Sequence, residues 1–419
     1  MGYQALIEKA SRYINHLCTD ITTRTVGTQG NRDATSFFHQ QIKPFGFTIE
    51  RQPFDCIDSH RRPSVLRIDD DEYEIIASPV TLGCTCEADL VQAQTVAELE
   101  ELSCTGKILL LHGEIAQEQL MPKGFEFYNP EEHKHLIQIL EKKQPAAILS
   151  ATSKNPDLAG AVYPFPMIVD GDFDIPSAFM KDTQGEKLLP FCGQKASLMI
   201  NAERVPAKGE NIVAWKGSRE KKVVICAHID TKEDTPGALD NASGVTILLL
   251  LAELLADYSG NLGVELVAFN GEEYYNAPGE MEYLARYQGD FSSILLAINL
   301  DDIGYIHGRS AFSFYGLAES VGELIREVYQ GKAGFFEGPP WYQSDHGIFM
   351  AKSIPAMAVT EEDVLELMAE ITHTEKDVPE IIDLQKLADN ALALRDIIYV
   401  IEGAADAGAG NEGGRADGE

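Results

Sequence analysis

Residues 223–273 read VVICAHIDTKEDTPGALDNASGVTILLLLAELLADYSGNLGVELVAFNGEE. Val223–Ala227 is an unbroken β-prone run, as expected of a strand covered on both faces. Ser243–Tyr258 reads as a strongly apolar helix and Gly263–Phe269 as a second strand. The alternation continues downstream: helix Pro278–Tyr287, strand Ile294–Leu300, strand Ala311–Tyr315, helix Glu319–Gln330, strand Ile354–Val359 and a closing helix Leu384–Ile401. This pattern predicts an α/β fold, a mixed but mostly parallel sheet flanked by helices.

Upstream the texture differs. Residues 1–55 read as helix, loop, helix and strand, with Ile7, Ala10, Ile14 and Leu17 at helical spacing. Residues 56–205 give short strand-like runs (Lys107–His112, Ala146–Ser150, Met167–Val169) broken by proline and glycine, with one helix from Pro130 to Lys143. They predict a separate, smaller β-rich domain inserted into the α/β part, which resumes over 206–402. Residues 403–419 are rich in Gly, Ala, Asp and Glu without periodicity and are expected to be disordered.

Composition narrows the function classes. Among 419 residues, 34 Lys and Arg face 66 Asp and Glu, a net charge of −32. Such a chain repels phosphate backbones and anionic membrane surfaces, so neither nucleic acid nor membrane is an expected partner. The seven cysteines have no repeated spacing and read as buried thiols in a reducing compartment. The longest apolar run, Val245–Leu251, is too short to span a bilayer. No stretch of the N-terminus has secretory character, so the expectation is a cytoplasmic protein, or a secreted one whose leader lies outside this chain.

In open α/β sheets ligands sit outside the carboxyl ends of the strands. There the sequence places His228-Ile-Asp230, Asp240 within Gly237–Gly244, Gly271-Glu272-Glu273, Asp301-Asp302 and, before the last helix, His373 with Asp377. Two imidazoles and three carboxylates without thiolate suit zinc, or manganese and cobalt less selectively. Five ligands with one bridging carboxylate suffice for two metals sharing a hydroxide. Of the adjacent pair, one glutamate can ligate while the other moves a proton. Asp230, two residues after His228, is placed to hold the second imidazole nitrogen.

His228-x-Asp230, Asp240-Asn-Ala-Ser-Gly, Gly271-Glu272-Glu273, Asn299-Leu-Asp301, Ser344-Asp345-His346 and His373-Thr-x-x-Asp377 closely resemble the co-catalytic two-zinc aminopeptidase family. Bacterial leucyl aminopeptidases belong there, with glutamate carboxypeptidase and glutaminyl cyclase as relatives. The resemblance covers 1–50 and 206–402, and the inserted stretch resembles a protease-associated domain. It implies that His228 and Asp301 complete one zinc, Glu273 and His373 the other, and that Asp240 bridges both. Glu272 is then the general base and Asp230 the orienter of His228. Asp302 stands where an apolar residue is usual, and Thr372 where some members carry a tyrosine that supports the oxyanion. Trp341 or Tyr342 is available for that role, which makes Asp302 and Tyr342 candidate substrate contacts.

The expected activity is removal of N-terminal residues from peptides with a free amine, through a hydroxide bridging two zinc ions and Glu272. Three rivals remain: a glutaminyl cyclase using one zinc, a carboxypeptidase or dipeptidase with Arg309 and Arg326 as available cations, and an inactive binding protein on the same scaffold.

Overall fold

In a computed structural model the chain is described over residues 2–21, 23–125, 128–154 and 162–412. It forms two compact units, one of residues 1–54 with 209–419, the other of Asp55–Lys208. The first segment supplies helices α1 (Tyr3–Asn15) and α2 (Gln29–Ile42) and the start of strand β1 (Thr48–Arg61). Leu6, Ala10, Tyr13 and Ile14 form the buried stripe of α1. Thr28 starts α2 by accepting a hydrogen bond from the Asn31 amide, an N-cap.

The second unit is a closed barrel. Its strands are β2 (Ser64–Ile68), β3 (Asp71–Ala77), β4 (Cys84–Ala93), β5 (Ile108–Leu111), β6 (Ala147–Thr152), β7 (Ser177–Lys181) and β8 (Lys195–Ile200). Their order is β2-β3-β7-β6-β5-β4-β8. Helices α3 (Val96–Glu101), α4 (Glu131–Lys143) and the short α5 (Asp182–Gly185) lie between them in sequence. All four residues of β5 are buried, Ile108 and Leu110 in one apolar cluster and Leu109 and Leu111 in another that includes Leu136 and Leu140 of α4. That two-sided burial is why β5 reads as a continuous apolar run. The expected strand Met167–Val169 does not form. Pro164 and Pro166 withhold the amides a ladder needs, and Ile168 makes only an isolated bridge with Leu120.

The chain returns through β9 (Ala202–Lys216) to β10 (Lys222–His228), α6 (Ser243–Leu254), β11 (Gly263–Phe269), α7 (Pro278–Arg286), β12 (Ile294–Leu300), β13 (Ser310–Tyr315), α8 (Glu319–Tyr329), β14 (Phe335–Glu337), α9 (His346–Met350), β15 (Ala356–Glu361), α10 (Val364–Glu370) and α11 (Leu384–Glu412). The sheet order is β1-β9-β11-β10-β12-β15-β13-β14. Its centre, β11-β10-β12-β15, is parallel, while β9 and β13 pair antiparallel with it, so the sheet is mixed. Ser243–Ala252 of α6 are buried all round, in the core shared with α1 and α11. The last helix continues to Glu412, past Gly403 where a disordered tail was expected; Ala404, Ala405, Ala407 and Ala409 favour helix despite the glycines. Residues 413–419 lie outside the described residues. Among the described residues no helix is long and apolar enough to cross a membrane.

Candidate metal centre

Parallel pairing brings the carboxyl ends of β10, β11, β12 and β15 to one edge, with His228 opposite Phe269 and Cys226 opposite Asn299. His228 therefore ends its strand beside the Asn270–Glu273 loop and beside Asp301. Two groups of ligand-type side chains converge there: His228, Asp240 and Asp301, and Asp240, Glu273 and His373, each with its ligand atoms within 4.8 Å of one another. His228 Nε2 lies 3.1 Å from Asp240 Oδ1 and 3.4 Å from Asp301 Oδ1. His373 Nε2 lies 3.0 Å from Asp240 Oδ2 and against Glu273 Oε1. Asp240 thus turns one oxygen to each group.

Long-range hydrogen bonds fix these positions. Asp377 accepts the amides of Leu239 at 2.6 Å and Asp240 at 3.1 Å. Asn241 donates to the Leu300 carbonyl and accepts the Gly244 amide. A Cβ on Gly244 would lie 2.3 Å from that Asn241 oxygen and 2.6 Å from Leu300 O, so only glycine fits. Ser344 donates to Asp301 Oδ2 at 2.6 Å and is itself held by Asn299 at 2.8 Å.

The electrostatics follow from burial. For His228, burial opposes protonation, but Asp301 and Asp240 outweigh it and hold its pKa well above the ordinary value. His373 is pushed up to about 10, Glu273 and Asp240 overcoming its burial. Glu272 is half-buried and makes no hydrogen bond among the described residues. Burial, then Glu273, Asp301 and Asp240, lifts its pKa well above the ordinary range against the pull of His228.

The donor set fits zinc: imidazole nitrogens and carboxylate oxygens, three per group with one shared, and no thiolate. Glu273 Oε1 lies directly against the His373 nitrogen, so two ligand-type atoms of the second group face one another across a short gap.

The seven residues named for metal and proton chemistry are therefore gathered in one place, but Asp230 is used differently from the expectation. Its carboxylate accepts the amides of Gly271 at 2.8 Å and Glu273 at 3.0 Å, and stands 3.8 Å from His228 Nδ1. The main-chain carbonyl of Asp230 is nearer that nitrogen, at 3.2 Å. The amides draw the carboxylate away because they are fixed donors from the neighbouring strand end. Asp302 is 4% exposed, has positive φ, and its Oδ1 lacks a hydrogen bond among the described residues. Tyr342 is 66% exposed with its ring against Tyr315, and among the described residues no hydrogen bond links it to the two groups. Trp341 is tied by its own backbone to Tyr315 and His346.

Lys232 escaped the sequence reading. Its ammonium contacts the Glu273 carbonyl at 2.7 Å and Oε2 at 2.9 Å, a cation four residues after His228 in the same loop.

Residues 211–398 match the profile of Peptidase family M28. A probable zinc metalloprotease of Pyrenophora teres f. teres (strain 0-1) is 37% identical over 76 residues, 18% of this chain and 16% of that protein. The curated relatives are matched over only 16% to 37% of their own length. An aminopeptidase from Aneurinibacillus sp. strain AM-1 has a similar fold, with TM-score 0.71, 20% identity, and coverage of 94% of this chain and 93% of that one. A zinc aminopeptidase from Bacillus subtilis gives TM-score 0.70 at 18% identity, covering 94% of each chain.

Proposed function

We propose, from the premise that residues 211–398 are a domain of Peptidase family M28, that this chain is a zinc-dependent aminopeptidase. The observation that carries the reading is the pair of ligand groups sharing Asp240, with the Glu272 carboxyl in electrostatic contact with His228, Glu273, Asp301 and Asp240. His228 and Asp301 would hold one zinc ion with Asp240; Glu273 and His373 would hold the other. When bound, zinc supplies Lewis-acid polarisation of the scissile carbonyl and acidifies a bound water.

The chain's own residues do the rest. Glu272, adjacent to a ligand and without a hydrogen bond among the described residues, takes a proton from the attacking water and delivers it to the leaving amine. Asp230 holds the amides of Gly271 and Glu273, keeping that loop at the strand ends. Ser344 restrains the free oxygen of Asp301, and Lys232 restrains Glu273.

The choice of peptide end rests on charge. The ligand carboxylates Asp240, Glu273 and Asp301 lie beside Glu272, while burial pushes the Asp302 and Asp345 carboxyls well above the ordinary range, toward their neutral forms. Lys232 is the one lysine or arginine ion-paired to a candidate ligand among the described residues. Such a field attracts an α-ammonium group and repels a terminal carboxylate. The test is a matched set of free, N-acetylated and C-amidated peptides, with products identified. A free α-amine should be required, acetylation costing at least ~10²-fold in kcat/KM, and amidation should matter little. Release of C-terminal residues, cyclisation of N-terminal glutamine, or equal cleavage of acetylated and free peptides would overturn it.

A further inference from the structure

The N-terminal segment lies outside the matched residues 211–398, yet it reaches the loop that joins the first two candidate ligands. Arg24 is 1% exposed. Its guanidinium hydrogen-bonds to main-chain carbonyls: Nε to Ile229 at 2.9 Å, Nη1 to Leu17 and Pro236 at 2.8 Å each, Nη2 to Gly237 at 2.7 Å. Three of those carbonyls belong to the run between His228 and Asp240. A loop with carbonyls facing water needs no buried cation. Here one rigid fork fixes three of them at once, which a flexible ammonium cannot do.

Gly237 shows how tightly the fork is seated. Its φ is 61°, and a Cβ there would lie 2.4 Å from Thr231 Cγ2, 2.5 Å from Asp240 O and 2.8 Å from Arg24 Nη2. Arg24 grips the loop by its carbonyls just before the point where Asp377 grips it by the amides of Leu239 and Asp240. The segment also reaches the other half of the site. Asn31 Nδ2 donates to Arg24 O at 2.8 Å, and Asn31 and Asn270 exchange side-chain hydrogen bonds of 2.8 and 3.0 Å. Asn270 immediately precedes Gly271-Glu272-Glu273.

We propose that Arg24, braced by Asn31, is a positioning residue for the metal centre. It fixes the 229–237 loop so that Asp240 presents one oxygen to each ligand group, while the Asn31–Asn270 pair fixes the strand end that presents Glu272 and Glu273. The proposal rests on the reading of the two groups as a zinc site.

A second buried polar network on the same strand provides the control. Lys222, at the opposite end of β10, pairs with Glu265 at 2.6 Å, and Tyr283 donates to the same carboxylate at 2.6 Å. Zn²⁺ affinity of the full chain is measured by competition with a chromophoric chelator for wild type, Arg24→Gln, Arg24→Lys and Lys222→Met, alongside thermal midpoints, kcat and KM. Arg24→Gln should bind Zn²⁺ about 10–100-fold more weakly and lose kcat with little change in KM, as expected when support of a metal ligand is removed. Arg24→Lys keeps the charge and should fall between. Lys222→Met should lower the thermal midpoint at least as much as Arg24→Gln, yet leave Zn²⁺ affinity and kcat within about two-fold, because the strand places it roughly 20 Å from His228. If Arg24→Gln does not accumulate folded, Arg24→Lys against Lys222→Met makes the same comparison on a smaller scale.

Wild-type Zn²⁺ affinity in both Arg24 variants, or an equal loss in Lys222→Met, would overturn the proposal. Zinc binding by the wild type without release of any N-terminal residue would sink the peptidase reading alone, since the order of Zn²⁺ affinities still decides the role of Arg24. No zinc binding by the wild type would overturn both.

Discussion

The two units handle charge in opposite ways. The barrel of residues 55–208 buries one charged side chain among its described residues, Asp170, which the amides of Lys123 and Asp172 satisfy. The unit of 1–54 and 209–419 buries more than ten, among them His228, Asp240, Asp301, Asp302, Asp345, Glu361, Asp377, Lys222 and Arg24. Desolvating a charge is costly unless it is paired. The barrel's stability therefore rests on apolar packing, whereas part of the other unit's stability depends on what neutralises its carboxylates. Removing zinc should be felt by one unit and hardly by the other.

The largest expected effect tests that contrast directly. Zinc held at about 1,000-fold above its Kd stabilises the folded state by about 4 kcal/mol. Chelation should thus speed hydrogen exchange in β10–β12 and leave β5 and β6 unchanged. Equal acceleration in both units would erase the distinction.

The converse perturbation is a cavity in the barrel. Leu149 is fully buried among Ile108, Leu110 and Ala178. Leu149→Ala should cost roughly 3 kcal/mol of barrel stability, read by exchange in β5–β7, with zinc affinity unaltered. A loss of zinc affinity would mean that the centre is sensitive to barrel packing.

Next is chemistry without structure. Glu272→Gln should lower kcat at least ~10²-fold, about 2.7 kcal/mol, while zinc content stays normal, because the role proposed for this side chain is to move a proton and not to ligate. Near wild-type turnover would remove Glu272 from the mechanism.

The smallest effect is in pH dependence. Burial lowers the His346 pKa to about 4, a change only partly opposed by its hydrogen bond to Trp341 O. A folded pKa below the unfolded one favours the neutral ring, so its contribution is present above the unfolded value and is lost as pH falls toward the folded one. Between pH 7 and 5 the wild type should lose about 2 kcal/mol relative to His346→Gln. In the barrel, burial raises the Asp170 pKa, so its contribution runs the other way and is lost as pH rises through the folded value. Parallel unfolding curves for wild type and His346→Gln across that range would refute the assignment.

The same contrast explains what could be read in the sequence. Strands β10, β11 and β12 are covered on both faces, so their apolar runs announce them, and the ligand-type residues follow at their ends. The barrel strands β2, β3 and β8 alternate buried with more exposed residues, and β4 is mostly half-buried, so their polar faces hid them among turns. Met167–Val169 misled because apolar content does not reveal the amides that flanking prolines withhold. At the site, residue type and order were legible, but partners were not. Asp230 spends its carboxylate on the amides of Gly271 and Glu273, about forty positions away in sequence. Arg24 serves carbonyls more than two hundred residues on, and no local period encodes such a contact.

Zinc stoichiometry tests the shared role of Asp240 most directly. Elemental analysis of the purified full chain should find about two zinc ions per wild-type chain and about one after His373→Ala, with Asp240→Ala weakening both sites together. A wild-type chain that saturates at one zinc, or an Asp240→Ala chain that retains two at wild-type affinity, would contradict the bridged centre.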